Sequence, residues 1–218
     1  MNGSRSSVVA VVIGVSAARR LTTIVVGTVL VLSIGAPAGA ASPGQLPQNN
    51  REPSFGVSLT NEMRLLVRAI SSNSPAVGQE VFFPEGAYLQ MKTGVIPSPA
   101  SDYVERLVAF YRLDLATYHE KFFTPTNATF LRVDANARLA KWIPPGGCEN
   151  RIGYWHVPGI RLVFERNHEV VSVAVASLIS WRGVWYVVHL GPNPRPRNVG
   201  TLDDYQIGPG TPGPAGGC

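Results

Sequence analysis

Apolar residues recur at two different periods along this chain, and the change of period divides it. Leu59, Met63, Leu66, Val67 and Ile70 fall at the helical spacing, with Ser58 or Thr60 as capping residue and Glu62, Arg64 and Arg68 on the opposite face. A longer helix is predicted from Asp102, with Glu105 as its capping-box partner. Its apolar stripe runs through Val104, Leu107, Val108, Tyr111, Leu115, Tyr118 and Phe122. Between the two, residues 80–92 read as a short strand broken at Pro84 and followed by a turn of helix.

From residue 129 onward the pattern is that of strands. Residues 129–133, 137–143, 152–157 and 160–165 are β-branched or aromatic runs separated by turn residues, including the loop Pro144-Pro145-Gly146-Gly147. Residues 169–190 read as two strands turned on Arg182-Gly183, and they are the expected centre of the domain. Alternation on the last strand places Trp185, Val187 and His189 on one face and Val184, Tyr186, Val188 and Leu190 on the other. Helices first and strands afterwards predict an α+β fold, two N-terminal helices packed on a curved antiparallel sheet formed mainly by the C-terminal half. The absence of strand–helix alternation argues against a doubly wound nucleotide-binding sheet.

The ends of the chain differ from this core, which is expected to span residues 57–191. Arg19-Arg20, the uncharged apolar run of residues 21–36 and Ala38-Gly39-Ala40 follow the order of a secretory signal over residues 1–40, with cleavage between Ala40 and Ala41. The alternative is an uncleaved membrane anchor. Residues 41–56 read as a flexible leader and residues 192–218 as a Pro/Gly-rich tail.

Charge changes little in this picture. The formal net charge is +5, but setting aside the three arginines of the first 40 residues leaves 16 Lys and Arg against 14 Asp and Glu. No nucleic-acid partner is expected, since there is neither a basic run nor a stacking platform interleaved with basic residues. The membrane enters only through the N-terminal segment, if it is retained. Cys148 and Cys218 fit an exported chain, in which an intramolecular disulfide, an intermolecular bridge and two free thiols all stay open. No metal site and no cofactor are expected, because the cysteines and histidines lack ligand spacing and no P-loop, H-E-x-x-H, S-x-x-K or G-x-S-x-G motif occurs.

Candidate chemistry is therefore sparse. His156 and His189 lie on strands among aromatics, where each is a pocket base or a hydrogen-bonded core histidine, and His168 sits in a turn. Asp114 lies between Tyr111 and Tyr118, as a pocket acid with a raised pKa or the acceptor of a structural tyrosine hydrogen bond. Tyr111, Trp181, Trp185 and Tyr186 are candidates for an aromatic-lined groove as well as for the core. The leading expectation is an exported, non-catalytic domain that binds an envelope partner or an apolar ligand. A small extracytoplasmic hydrolase or isomerase using His189, His156 or Asp114 is the alternative, and a signal-anchored envelope scaffold is the third.

The stretches FFPEGAYLQMK, LVAFYRLDLATYHEKF, KWIPPGG, NRIGYW and SWRGVWYVVHL, spread over residues 80–190, resemble an uncharacterised family of bacterial exported proteins found in actinobacteria and some proteobacteria. The resemblance implies a domain boundary and no activity. The order of elements is similar to the cone-shaped fold of the nuclear-transport-factor-like superfamily, in which helices and a concave sheet enclose a pocket; this is an analogy of fold alone.

Overall fold

The computed structural model describes residue 44 and residues 46–213. The predicted signal segment, the Ala40/Ala41 cleavage site and Cys218 lie outside them. The chain is α+β, with helices preceding a six-stranded antiparallel sheet.

Helix α1 (Val57–Ser71) buries Leu59, Met63, Leu66, Val67, Ala69 and Ile70, the predicted stripe. Its N-cap is Gly56 without a side-chain cap, so neither Ser58 nor Thr60 caps it; Ser58 Oγ donates instead to Glu62 Oε1 at 2.9 Å. Helix α2 (Glu85–Lys92) follows Pro84, whose fixed φ suits the residue before a first turn. Just upstream, Val81 and Phe83 exchange backbone hydrogen bonds with Val187, covering part of a sheet edge.

The long helix starts earlier than the capping-box pattern predicts. A short α3 (Pro99–Asp102), a π-helical segment (Tyr103–Val108) and α4 (Ala109–Phe123) run on without a break. The π-helical segment spreads its residues over a wider turn and shifts the phase of the apolar stripe. Val104 is consequently 54% exposed although the 3.6-residue period places it inside, while Leu107, Phe110, Tyr111, Leu115, Tyr118 and Phe122 are buried. Asp102 does not cap the helix; Arg106 and Tyr88 hold its carboxylate.

The sheet is built on one long hairpin, β3 (Tyr154–Arg166) and β4 (Glu169–Trp181), turned on Asn167 and His168, both at positive φ. This pair, rather than the following hairpin alone, is the centre. β3 runs straight through Pro158-Gly159, where the sequence suggests a break. β1 (Thr129–Asp134) and β2 (Lys141–Ile143) share the outer side of β3. β5 (Val184–His189) and β6 (Asp203–Ile207) share the outer side of β4. The β4–β5 turn uses Arg182 and Gly183, both at positive φ, as the hairpin pattern predicts.

Two expectations about the ends are corrected. Residues 192–213 are no tail: β6 pairs with β4, Gly208 N–H donates to Val170, and Gly213 N–H donates to Gly159. Gly200 approaches α4 so closely that a Cβ there would lie 2.3 Å from the Leu113 carbonyl oxygen. Pro/Gly density here marks tight packing, because only small residues admit such an approach. Nor is the leader free from Gln48 onward. Gln48 donates to the Gly153 carbonyl (2.9 Å) and accepts from Arg182 N–H (2.7 Å), Trp155 Nε1 donates to the Asn50 carbonyl, and Phe55 packs on Trp185 at 5.2 Å.

The core lies between α4 and the sheet. Phe122 stacks on Phe164 at 4.6 Å, and Tyr118 Oη bonds the carbonyls of Ala174 and Leu190. Burying each large apolar side chain stabilises the fold by about 1.5–3 kcal/mol. Among the described residues no helix is long and apolar enough to cross a membrane.

Candidate functional site

The sheet and the helical layer part at one end and leave a cavity of about 770 Å³. Its floor comes from the strands. Tyr154 and His156 on β3 and Ser177 and Ile179 on β4 share one face, because His156 pairs with Ile179 and Pro158 with Ser177 across a regular antiparallel ladder. Val188 and His189 on β5 both line the cavity, against the alternation expected of a strand. The reason is a β-bulge: Ser177 pairs with His189 but Leu178 pairs with Val187, so Val188 is the extra residue. The wall opposite comes from Tyr88 and Lys92 on α2, from Asp102 at the end of α3, and from Glu105, Arg106 and Leu107 on the π-helical segment.

His156 Nε2 and Ser177 Oγ are 2.8 Å apart, both side chains being less than a tenth exposed. Burial, with a smaller push from Lys141, lowers the His156 pKa to about 4. Burial also lowers His189 to about 4, and Arg106, Arg195, His156 and Lys92 push in the same direction. Both imidazoles are therefore neutral at pH 7. Arg106 donates from Nε and Nη2 to Asp102, at 2.7 and 2.6 Å, and from Nη2 to Tyr88 Oη at 3.0 Å; Tyr88 in turn donates to Asp102. The guanidinium holds the Asp102 carboxyl below the usual range. Lys92 Nζ donates to the Cys148 carbonyl at 3.1 Å, and Glu105, Glu149 and Arg197 stand exposed at the mouth.

The expected site residues divide sharply. His156 and His189 are brought together at the cavity, but Asp114 is not a pocket acid. It is buried on α4, paired with Arg195, and accepts from the backbone N–H groups of Gly191 and Thr201, each at 2.9 Å. Desolvation pushes its carboxyl above the usual range, and Arg195 with these donors pulls the other way. No tyrosine is among its partners, so the expected tyrosine hydrogen bond is also replaced. Tyr111 stacks on Phe82 at 4.3 Å, Trp185 packs on Phe55, and Trp181 and Tyr186 both meet Phe83 edge-on. Tyr111, Trp181 and Trp185 are core residues, Tyr186 is partly buried against that core, and none of the four lines the cavity. Cys148 is disulfide-bonded.

Sequence reasoning passes over Ser177, Arg106, Asp102 and Tyr88. Ser177 carries one weak signal, shared with Ser172 and Ser180: a polar residue within the buried, mostly apolar part of β4. Arg106 carries none, since an arginine on a helix is ordinarily solvated.

A pH prediction follows from the buried imidazoles. Each favours the neutral form in the fold, so its contribution is complete above the unfolded pKa of about 6.5 and is lost as pH falls towards 4. Glu62, raised by burial to about 7, acts with the opposite sign, since its folded form favours the proton. Comparison with a variant isolates the histidine term: His156→Gln should lose about 3 kcal/mol less stability than the parent chain between pH 7 and 4. Urea melts across that range are the check, and parallel curves would refute it.

No family model, no curated protein and no solved structure matches the chain.

Proposed function

We propose that this chain is an exported cell-envelope domain that binds a small amphipathic ligand in the cavity between its helices and its sheet. The cavity carries the reading. A volume of about 770 Å³ falls in the range of ligand sites, roughly 300–1,000 Å³. Its lining of Leu107, Ile179, Val188, Tyr88 and Tyr154 around a few convergent polar groups suits a molecule with an apolar body and one polar end. Helices preceding an antiparallel sheet are similar in order to the nuclear-transport-factor-like cone, an analogy of fold that implies no particular chemistry. Export rests on the basic, apolar, Ala-x-Ala order of the first 40 residues.

A binding role is favoured over catalysis by the state of the bases. An imidazole pushed to about 4 is a weak general base, and the imidazolium formed in a reaction would be further disfavoured by burial. Among the described residues no carboxylate hydrogen-bonds either imidazole to orient it or to hold that charge. The hydrolase alternative retains one observation, the 2.8 Å approach of Ser177 Oγ to His156 Nε2. Covalent labelling of Ser177 by a fluorophosphonate would establish it.

One preparation tests both parts of the proposal. Protein recovered from the medium or periplasm of an expressing host should begin at Ala41 by N-terminal sequencing. It should also bind Nile red with a saturable rise in fluorescence, and Val188→Trp, which narrows the cavity at its floor, should weaken that rise while leaving the thermal melt cooperative. An N-terminus upstream of residue 40 would sink cleavage, and unchanged dye binding in the variant would sink the cavity as the site.

A further inference from the structure

We infer that the part of this cavity lined by Arg106, Ser177 and His189 is a seat for an oxyanion, so that the ligand is an amphipathic acid whose carboxylate or phosphate is held there. The inference rests on the binding role proposed for the same cavity and adds the chemical class of the ligand. It stands on the placement of donors and charges. Arg106 is half-buried, and its Nε and Nη2 are occupied by Asp102 and Tyr88. That grip fixes the plane of the guanidinium and leaves Nη1 without a hydrogen bond among the described residues. A guanidinium held rigidly by one edge is pre-organised for an oxyanion at the other.

The strand floor supplies the remaining donors. Ser177 and His156 share one hydrogen bond at 2.8 Å. In one tautomer His156 donates to Ser177 Oγ, and the hydroxyl proton is then free to point into the cavity. In the other, Ser177 donates and the proton sits on Nδ1. The pair thus keeps one spare donor in either state. His189 stands beside Ser177 across the β4–β5 ladder, makes no side-chain hydrogen bond among the described residues, and as a neutral imidazole offers one N–H.

Charges in the lining are largely committed. Lys92 and Arg197 are matched in number by Glu105 and Glu149. Asp102, the remaining carboxylate of the lining, is held by Arg106 and Tyr88 and leaves the free edge of the guanidinium unopposed by a hydrogen-bonded carboxylate. Arg106 also acts on His189 electrostatically, so the guanidinium and this imidazole face the same part of the cavity. A fixed guanidinium with spare neutral donors around it favours an anion. Leu107, Ile179 and Val188 then receive the apolar body.

The test compares three molecules with one twelve-carbon chain: dodecanoate, dodecyl phosphate and 1-dodecanol, each titrated into the mature chain at pH 7.5 by Nile red displacement and by calorimetry. At least one acid should bind about 10- to 100-fold more tightly than the alcohol, the span expected of one or two charge-assisted hydrogen bonds. The preferred acid identifies the head group. Arg106→Gln should reduce that preference to less than about threefold while alcohol binding stays as it was, and Ser177→Ala should reduce it in part. Should Arg106→Gln fail to fold, His189→Leu gives an independent reading, since it removes a donor and should weaken only the acids.

Equal affinity for acids and alcohol overturns the oxyanion seat and leaves the cavity reading intact. An acid preference indifferent to all three substitutions also overturns it, by placing the charge elsewhere. If Nile red binds and none of the three displaces it, the ligand class is wrong. If Nile red does not bind, the cavity reading fails together with this one.

Discussion

Asp114→Ala should destabilise the fold by about 3–5 kcal/mol, the cost of leaving a buried charge without its partner. Arg195 is 4% exposed at its side chain and Asp114 1%. Removal of the carboxylate strands the guanidinium over the Phe110 ring, 4.2 Å away, and takes the acceptor from the backbone N–H groups of Gly191 and Thr201. Arg195→Met should cost less, because Asp114 keeps both backbone donors and the methionine fills much of the same volume. Chemical denaturation of the two variants against the parent measures the order. A loss below 1 kcal/mol in Asp114→Ala, or the reverse ranking, would show that this pair does not hold residues 191–201 against α4.

A larger loss is expected when the chain is ended at residue 202. The strand β6 then disappears from the outer side of β4, and Arg161, which is fully buried, loses Asp204, its ion-pair partner at 2.6 Å. It keeps Ser172 Oγ at 2.7 Å. Gly210, whose backbone covers the Arg161 guanidinium too closely for any side chain, is removed as well. Domains of this size are stable by only about 5–15 kcal/mol. The truncated chain should therefore lack a cooperative unfolding transition. Because it also lacks Cys218, a full-length Cys218→Ser chain separates the strand from any bond to that cysteine and should still melt cooperatively. Asp204→Ala is the point probe and should cost about 3 kcal/mol, at the lower end for a broken buried pair because Asp204 remains partly exposed. A truncated chain that melts like the parent would restore the reading of this segment as a dispensable tail.

These two expectations concern residues that the sequence pattern misplaces, and the reason is the same in each. Asp114 lies on a helix beside two tyrosines, and Arg195 lies in a proline-rich stretch 81 residues later. Local periodicity carries no information about a pair formed at that separation. The segment after Leu190 offers short-range turn chemistry and no long apolar run, so composition reads it as loose. Its order derives from hydrogen bonds to α4 and β4, contacts invisible along the chain. The π-helical segment is a similar case. A stripe spaced at 3.6 residues is consistent with a regular helix, and the widened turn that exposes Val104 and brings Arg106 to the cavity wall is a product of packing.

Where the sequence succeeds, a strong short-range signal exists. The apolar stripe of α1, the stripe of α4 from Tyr111 to Phe122, and the positive-φ turns at Asn167-His168 and Arg182-Gly183 are each specified by residues within one turn of one another. The histidines are a mixed case. His156 and His189 stand out because imidazole is rare in β-branched runs, yet only the register of β3 on β4 and the bulge on β5 bring both to one cavity with Ser177.

By itself, then, the sequence determines an α+β chain with helices first and a hairpin-rich sheet after, since helix and strand periods and turn residues act over a few positions. Its first 40 residues carry the basic, apolar, Ala-x-Ala order on which the proposal of export rests. Only tertiary structure decided that Trp181, Trp185 and Tyr111 belong to the core with Tyr186 packed against it, that Asp203–Ile207 completes the sheet, and that the cavity lies over His156, Ser177 and His189 beneath Arg106. Those outcomes depend on register, on a bulge and on ion pairs between residues far apart in the chain, and they are fixed by the packing of whole elements.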